Sequence, residues 1–460
     1  MTTPTRRPAP SAPEVSPRPA LADVAAAGGA VGLVALAAVV GAILYLADHP
    51  VRASSAPLFA HWLPHVGPGT PVALAVAVLV VCQGERVAAT LAWRRLLALG
   101  YITAVAWILA LALVDGWQRG FAGRLSTKDE YLSEVAGVHD VPAMLRGFAG
   151  RILDFQPDSW TTHVSGHPPG AFLVFVALDR IGLGGGAWAS TVCVLVGALV
   201  AVAVPVTVRA LGDETSARAV IPFLVLFPGA VWIGVSADGL FAGVTATGLA
   251  LLAIAVTRRI PLLGLAAGVV LASGIYLSYG LTLIAVPALA VLVLARRRPD
   301  RTLVAVAVGL ATVVVVFTVA GFWWVDGYHL VVQRYYQGIA SHRPYAYWVW
   351  ADLAAVVVCA GPAAAVILRR AAAGTLPIIR RPRTAIPLAP AVVLPLAALS
   401  AILAADLSGL SKAEVERIWL PFAVWLTAGA ALLPTPTRRF WLIMQAATAL
   451  LVNHLLLTTW

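Results

Sequence analysis

The sequence predicts an all-α polytopic membrane protein, and three observations carry that reading. Charged residues make up 12% of the chain and hydrophobic residues 60%, with a mean hydropathy of +0.88. A soluble domain carries about 25% charged residues. Apolar stretches of about 20 residues, the length a helix needs to cross a hydrocarbon core of about 30 Å, recur from residue 24 to the C-terminus. Clusters of arginine in the short connectors between alternate stretches all fall on one side.

The length criterion gives about thirteen spans, at 24–47, 71–92, 96–115, 187–208, 219–235, 239–257, 262–278, 281–296, 303–323, 349–368, 385–405, 417–433 and 440–458. Residues 1–23 are rich in Pro, Ala, Ser and Thr without an apolar core, and read as a disordered cytoplasmic tail. The domain proper is then 24–460, and its first span reads as an uncleaved signal anchor. Arg94-Arg95, Arg209 with Arg218, Arg258-Arg259, Arg296 to Arg298 with Arg301, Arg369-Arg370, Arg380-Arg381 with Arg383, and Arg438-Arg439 all fall on one side, together with Arg6-Arg7. The positive-inside rule makes that side cytoplasmic, with the C-terminus outside a multi-pass cell-membrane protein. The formal charge of +11 is thereby an orientation signal rather than a nucleic-acid site. Cys82, Cys193 and Cys359 lie apart inside expected spans and read as free thiols.

The opposite side holds the connectors 48–70, 116–186, 236–238, 279–280, 324–348 and 406–416. Eight of the nine histidines and the only two lysines, Lys128 and Lys412, lie there. Seven of the twenty-one carboxylates crowd between Asp115 and His167. An anchor has no need to hold so many ionisable groups at the bilayer edge, so chemistry is expected on the outer face. Within the spans, Glu85-Arg86 is the main charged exception and reads as a structural pair. The run 171–178 is apolar but too short to cross, and Asp179-Arg180 closes it; it reads as an interfacial helix. Trp160, Trp188, Trp323, Trp324, Tyr345, Tyr347, Trp348, Trp350 and Trp419 flank the outer loops as an aromatic belt.

In order along the chain come Lys128-Asp129-Glu130-Tyr131, His167-Pro168-Pro169-Gly170, Gly184-Gly185-Gly186-Ala187-Trp188, and Phe227-Pro228-Gly229 leading to Asp238. This order resembles the GT-C superfamily of membrane glycosyltransferases, which includes protein O-mannosyltransferases and lipid A aminoarabinose transferases. The likeness covers roughly residues 125–260. The His-Pro-Pro element lacks the Leu that usually follows it.

The resemblance implies a GT-C-like bundle whose large first outer loop is catalytic. Its donor would be a polyprenyl-phosphate sugar, and its acceptor a cell-envelope lipid, glycan or protein. Asp129 and Glu130 match the family's acidic position, where a carboxylate takes the acceptor's proton. Lys128, Tyr131, His167 and Asp238 are expected at the substrate. Arg334, Arg343, Lys412 and Arg417 are candidates to line the groove or to meet the lipid phosphate, whose developing charge needs positioned donors. Metal use stays open: a divalent cation, Mg or Mn, with Glu130, His167 and Asp238 as its ligands. No His or Cys pairs stand at the spacing of a closed zinc site. His139-Asp140 and His163 are weaker candidates. The alternative is a transporter or flippase of lipid-linked glycans. Pro205, Pro287 and Pro362 do interrupt spans, but few ionisable groups accompany them and no internal repeat is visible.

Overall fold

A computed structural model describes residues 19–296, 300–380 and 389–458, with backbone alone for 376–380. Among them seven helices are long and apolar enough to cross a membrane: Leu21–Leu46, Thr70–Thr90, Trp93–Asp115, Gly186–Leu211, Ala237–Arg258, Arg301–Val319 and Pro390–Leu407. Tyr345–Ala360 and Pro362–Thr375 form an eighth, broken unit bent by 106°. The chain is a polytopic helical membrane protein.

The remaining expected spans are shorter or interrupted, each for a local reason. Residues 219–235 do not make one helix. Glu214–Val225 stops before Phe227-Pro228-Gly229, and a single turn, Ala230–Ile233, follows. Proline lacks the N–H that would continue the ladder. Residues 281–296 open as a 3₁₀ stretch, Tyr279–Ile284, before Ala285–Ala295. Residues 417–433 divide into Val415–Ile418, Leu420–Leu426 and a 3₁₀ segment, Thr427–Leu432. The last helix, Thr435–Leu455, gives way to a strand, Leu456–Thr458, which pairs antiparallel with Ala60–Trp62. This small ribbon is a departure from the all-α expectation, and it fastens the chain's end to the loop after the first helix.

The break at Gly361-Pro362 is built into the sequence. Gly361 has φ +78°, which a side chain would strain. The buried Gln445 amide donates to the Ala360 carbonyl at 2.8 Å, restoring a partner that the bend removes. Elsewhere small residues let helices approach closely. A Cβ on Gly268 would stand 2.1 Å from the Val306 carbonyl oxygen, and one on Gly309 would stand 2.3 Å from that of Leu265. Pro261–Leu277 and Arg301–Val319 therefore cross with their backbones nearly touching.

The first helix begins at Leu21, inside the segment expected to be a tail; residues 1–18 lie outside the described residues. Asp23 in its first turn is fully buried between Arg369 and Arg370, whose Nη2 lies 2.6 Å from Oδ2. Two arginines counted as orientation signals thus also clamp the first helix to the broken one. Glu85 and Arg86 form no ion pair with one another among the described residues, a correction to the expected pairing. The run 171–178 lies within a helix, Pro169–Arg180, which buries Phe172, Phe175 and Val176. The three cysteines are free.

Candidate functional site

Four segments far apart in sequence meet in one buried charged network. The first loop contributes Glu130, Tyr131, His163 and His167. His163 sits in a single turn, Thr162–Ser165. After His167, two prolines with fixed φ start the helix Pro169–Arg180, Pro169 taking the first helical position where no N–H is required.

Asp238 comes from the first turn of Ala237–Arg258. The chain enters that helix through Val235 at φ +83°, a strained value for a β-branched residue, and Ser236 caps it by accepting from Gly239 N at 3.2 Å. The helix N-terminus then favours the Asp238 carboxylate. The late loop contributes Lys412, Glu414, Glu416 and Arg417, and Arg343 stands just before Tyr345–Ala360.

Arg417 is the hub. Its Nη1 donates to Asp238 Oδ2 at 2.6 Å and its Nη2 to Glu414 Oε2 at 2.9 Å. The same Nη2 lies 3.3 Å from His163 Nε2. The His163 Nδ1 is 2.8 Å from the Asp129 carbonyl and 3.7 Å from Glu130 Oε1. One tautomer satisfies both ends: Nδ1–H donates to the carbonyl, and Nε2 accepts from the guanidinium. On the other side Glu414 Oε1 accepts from Arg343 Nη2 at 2.8 Å. Arg343 Nη1 donates to the Lys412 carbonyl at 2.7 Å, and Lys412 Nζ donates to the Arg343 carbonyl at 3.1 Å. Hydrogen bonds therefore link His163, Arg417, Glu414, Arg343 and Lys412 into one path, and the Glu130 carboxylate lies against its His163 end. Every member is buried apart from the slightly more open Glu414.

The electrostatics follow from this packing. Burial alone would raise the Glu414 carboxyl, but Arg417 and Arg343 outweigh it and hold it below its ordinary value. Glu416, buried and facing the Glu414 charge, is pushed up to about 7. Burial takes His167 down to about 4, so its ring is neutral; Nδ1 lies 2.8 Å from the His163 carbonyl. Burial and the Arg343 charge lower Lys412. Tyr131 is fully enclosed, stacked on Phe175 with centroids 5.0 Å apart and 5.9 and 5.8 Å from the rings of His163 and His167. Burial raises its hydroxyl well above the ordinary value.

The late loop is held in an unusual shape. Ala413 and Glu414 have φ +66° and +65°, successive left-handed residues that are not glycine. Such conformations cost on the order of 1–3 kcal/mol each. The buried Asp352 carboxylate fixes the turn by accepting from Ala413 N at 3.0 Å, and Tyr335 Oη by accepting from Lys412 N at 2.8 Å.

Of the expected residues, Glu130, Tyr131, His167, Asp238, Arg343, Lys412 and Arg417 lie in or against this network. Asp129 contributes its carbonyl; its carboxylate reaches only Thr162 Oγ1, at 3.4 Å. Lys128 is exposed, and it is its carbonyl that is engaged, by Thr161 Oγ1 at 2.7 Å. Arg334 is occupied differently from the groove-lining role expected of it. It pairs with Asp154 and joins the helix Trp324–Gln337 to the first loop. Asp140 caps the helix Val141–Gly147.

Two further expectations need correction. Arg417 is not poised as a phosphate donor at a boundary, because Asp238, Glu414 and His163 already surround it. Glu130, His167 and Asp238 do not converge as metal ligands: no group of three or more His, Cys, Asp or Glu side chains that could hold an ion occurs among the described residues. Sequence reasoning gave no role to Glu414 or Asp352. Asp352 carries a readable signal, an ionisable residue within an apolar run. Compared with known protein families and with characterised proteins, the chain matches none of the family models and none of the proteins.

Proposed function

We propose that this protein is a membrane glycosyltransferase that moves a sugar from a polyprenyl-phosphate donor to a cell-envelope acceptor on the outer face. The supporting observation is the path from Glu130 to Lys412, which brings a buried carboxylate of the first loop and the buried cations Arg343 and Lys412 into one network. Glu130 is the base in this reading, since its carboxylate is buried beside His163, whereas the Asp129 carboxylate lies outside the network, against Thr162 Oγ1. It takes the proton of the acceptor hydroxyl as the new bond to the anomeric carbon forms. The bond from that carbon to the phosphate oxygen breaks, and its electron pair stays on the lipid phosphate. Arg343 and Lys412 receive that charge. Lys412 has three donors and gives one to Arg343, and Arg343 Nε has no hydrogen-bond partner among the described residues. Arg417, Asp238 and Glu414 keep the two ends in register.

Labelled-sugar transfer by the purified protein in lipid, from a panel of polyprenyl-phosphate monosaccharides, tests this. Glu130→Gln is expected to lose about 10²–10⁴-fold, the usual worth of a general base, and Asp129→Asn to stay within about tenfold of wild type. Full transfer by Glu130→Gln sinks the assignment. One observation favours a second reading, transport of lipid-linked glycans: the 106° break at Gly361-Pro362 is of the kind that lines substrate paths in transporters. Donor-dependent movement of lipid-linked sugar across liposomes, unaffected by Glu130→Gln, would select it.

A further inference from the structure

A cavity of about 330 Å³ adjoins the charged network through one aromatic layer. Phe175 lines it and stacks on Tyr131, which in turn faces His163 and His167. The volume is at the lower end of the range for small-ligand sites, about 300–1,000 Å³. Its floor is apolar, formed by the buried Val135, Phe175 and Ala189. Its rim holds the exposed polar residues Ser126, Ser133 and Asp179, with Ala136 beside them. An apolar floor beneath a polar rim suits an amphiphile whose chain enters and whose head stays outside. Two flanking side chains point to the source of that chain. Ile181 and Trp188 are 70% and 48% exposed on either side of the lining residues Leu183 to Gly185, as apolar groups at a lipid interface are.

The order of contacts says which substrate would use the cavity. The cations suited to the donor phosphate stand at the Lys412 end of the network. The cavity stands at the other end, where its lining residue Ser133 donates through Oγ to the Glu130 carbonyl at 2.7 Å. The acceptor hydroxyl must come to Glu130. We propose that the cavity holds a hydrocarbon chain of the acceptor, so that the acceptor is a membrane lipid bearing a hydroxyl head rather than a peptide or a soluble glycan. The acceptor's role rests on the transferase reading; the chain site does not.

The test uses the whole protein reconstituted in lipid and photolabelled with a diazirine-bearing hexadecanol, the labelled peptides being mapped by mass spectrometry. Label is expected to concentrate in 132–136 and 175–189 and to be displaced by plain hexadecanol. Ala136→Phe and Ser126→Phe, both at the rim and each checked for an unchanged unfolding midpoint, are expected to cut it at least about tenfold, a loss of about 1.4 kcal/mol in binding. Label spread evenly over the apolar faces of the spans, or untouched by both folded variants, overturns the site. Glu130→Gln serves as the separate check on the transferase: it is expected to stop transfer while leaving the label in place. Cavity labelling alongside transfer to soluble acceptors that Ala136→Phe does not slow overturns the acceptor assignment.

Discussion

Replacing Asp238 by Asn removes one of the two carboxylates that hold Arg417 and keeps the shape of the side chain. Removing one partner of a buried ion pair typically costs about 3–5 kcal/mol, because the other charge is left uncompensated. Here Arg417 retains Glu414 at 2.9 Å and His163 at 3.3 Å, so the loss falls below that range, at about 2–3 kcal/mol. Arg417→Gln is the harsher change. It strands Asp238, which has no second ion-pair partner among the described residues, whereas Glu414 keeps Arg343. It belongs within the full range of about 3–5 kcal/mol. The double variant carries no stranded charge, so the two losses overlap, with a coupling energy of about 1.5–3 kcal/mol. Denaturant unfolding of the four proteins in one detergent measures it. Additivity within about 0.5 kcal/mol would refute the claim that Arg417 and Asp238 depend on each other.

Other consequences follow from the same geometry. Glu416, raised to about 7, is protonated in the folded protein over a range where the unfolded chain has released its proton. Its contribution is full below pH about 4.5 and lost as pH rises to about 7, worth on the order of 3 kcal/mol. His167, lowered to about 4, works oppositely, adding stability as pH rises from about 4 to 6.5. The two offset one another between pH about 5 and 6.5, so Glu416→Gln is expected to leave a midpoint that falls steeply on acidification; a flat profile counts against the His167 shift, and a variant profile parallel to that of wild type counts against the Glu416 shift. Gln445→Ala leaves the buried Ala360 carbonyl without its donor and should cost about 1–3 kcal/mol, read as a lowered unfolding midpoint. Asp23→Asn loosens the clamp on Arg369 and Arg370, and a lowered unfolding midpoint in detergent checks it.

The membrane class and most helix positions were readable because spanning length and composition are properties of a single stretch of chain. Breaks inside those stretches were harder to see. Phe227-Pro228-Gly229 and Gly361-Pro362 lie in runs whose hydropathy is unbroken, so a length criterion passes over them. In the second case the compensating group, Gln445, lies eighty-five residues away. Charged residues stand out in a chain that is 12% charged, which is why Glu130, Asp238, Arg343, Lys412 and Arg417 were visible as candidates. Their partners were not. Arg417 looks locally like a partner for Glu416, yet it meets Asp238 across 179 positions and His163 across 254. Arg334 was misassigned for the same reason, its carboxylate lying 180 positions upstream at Asp154. Spacing reports neighbours on one element, whereas an ion pair between elements depends on how the bundle closes.

That closure explains why so much charge sits in the dry part of this fold. A buried carboxylate or guanidinium is tolerated when paired and costly when alone. Misplacing any one of the first loop, the helix entered through Ser236, or the late turn would expose the others to that cost. The strained Ala413-Glu414 backbone is consistent with this. Relaxing it would move Glu414 from between Arg343 and Arg417, and the loss of two charge-assisted hydrogen bonds, about 1.5–3 kcal/mol each, is comparable with the strain that two left-handed residues store. The turn is thus held shut by the ions it positions, with Asp352 and Tyr335 bracing it from behind. A ligand that drew Arg343 or Lys412 toward its own negative charge would weaken the contacts that keep the turn strained. The late loop is therefore the part of the site whose shape depends most directly on what is bound beside it.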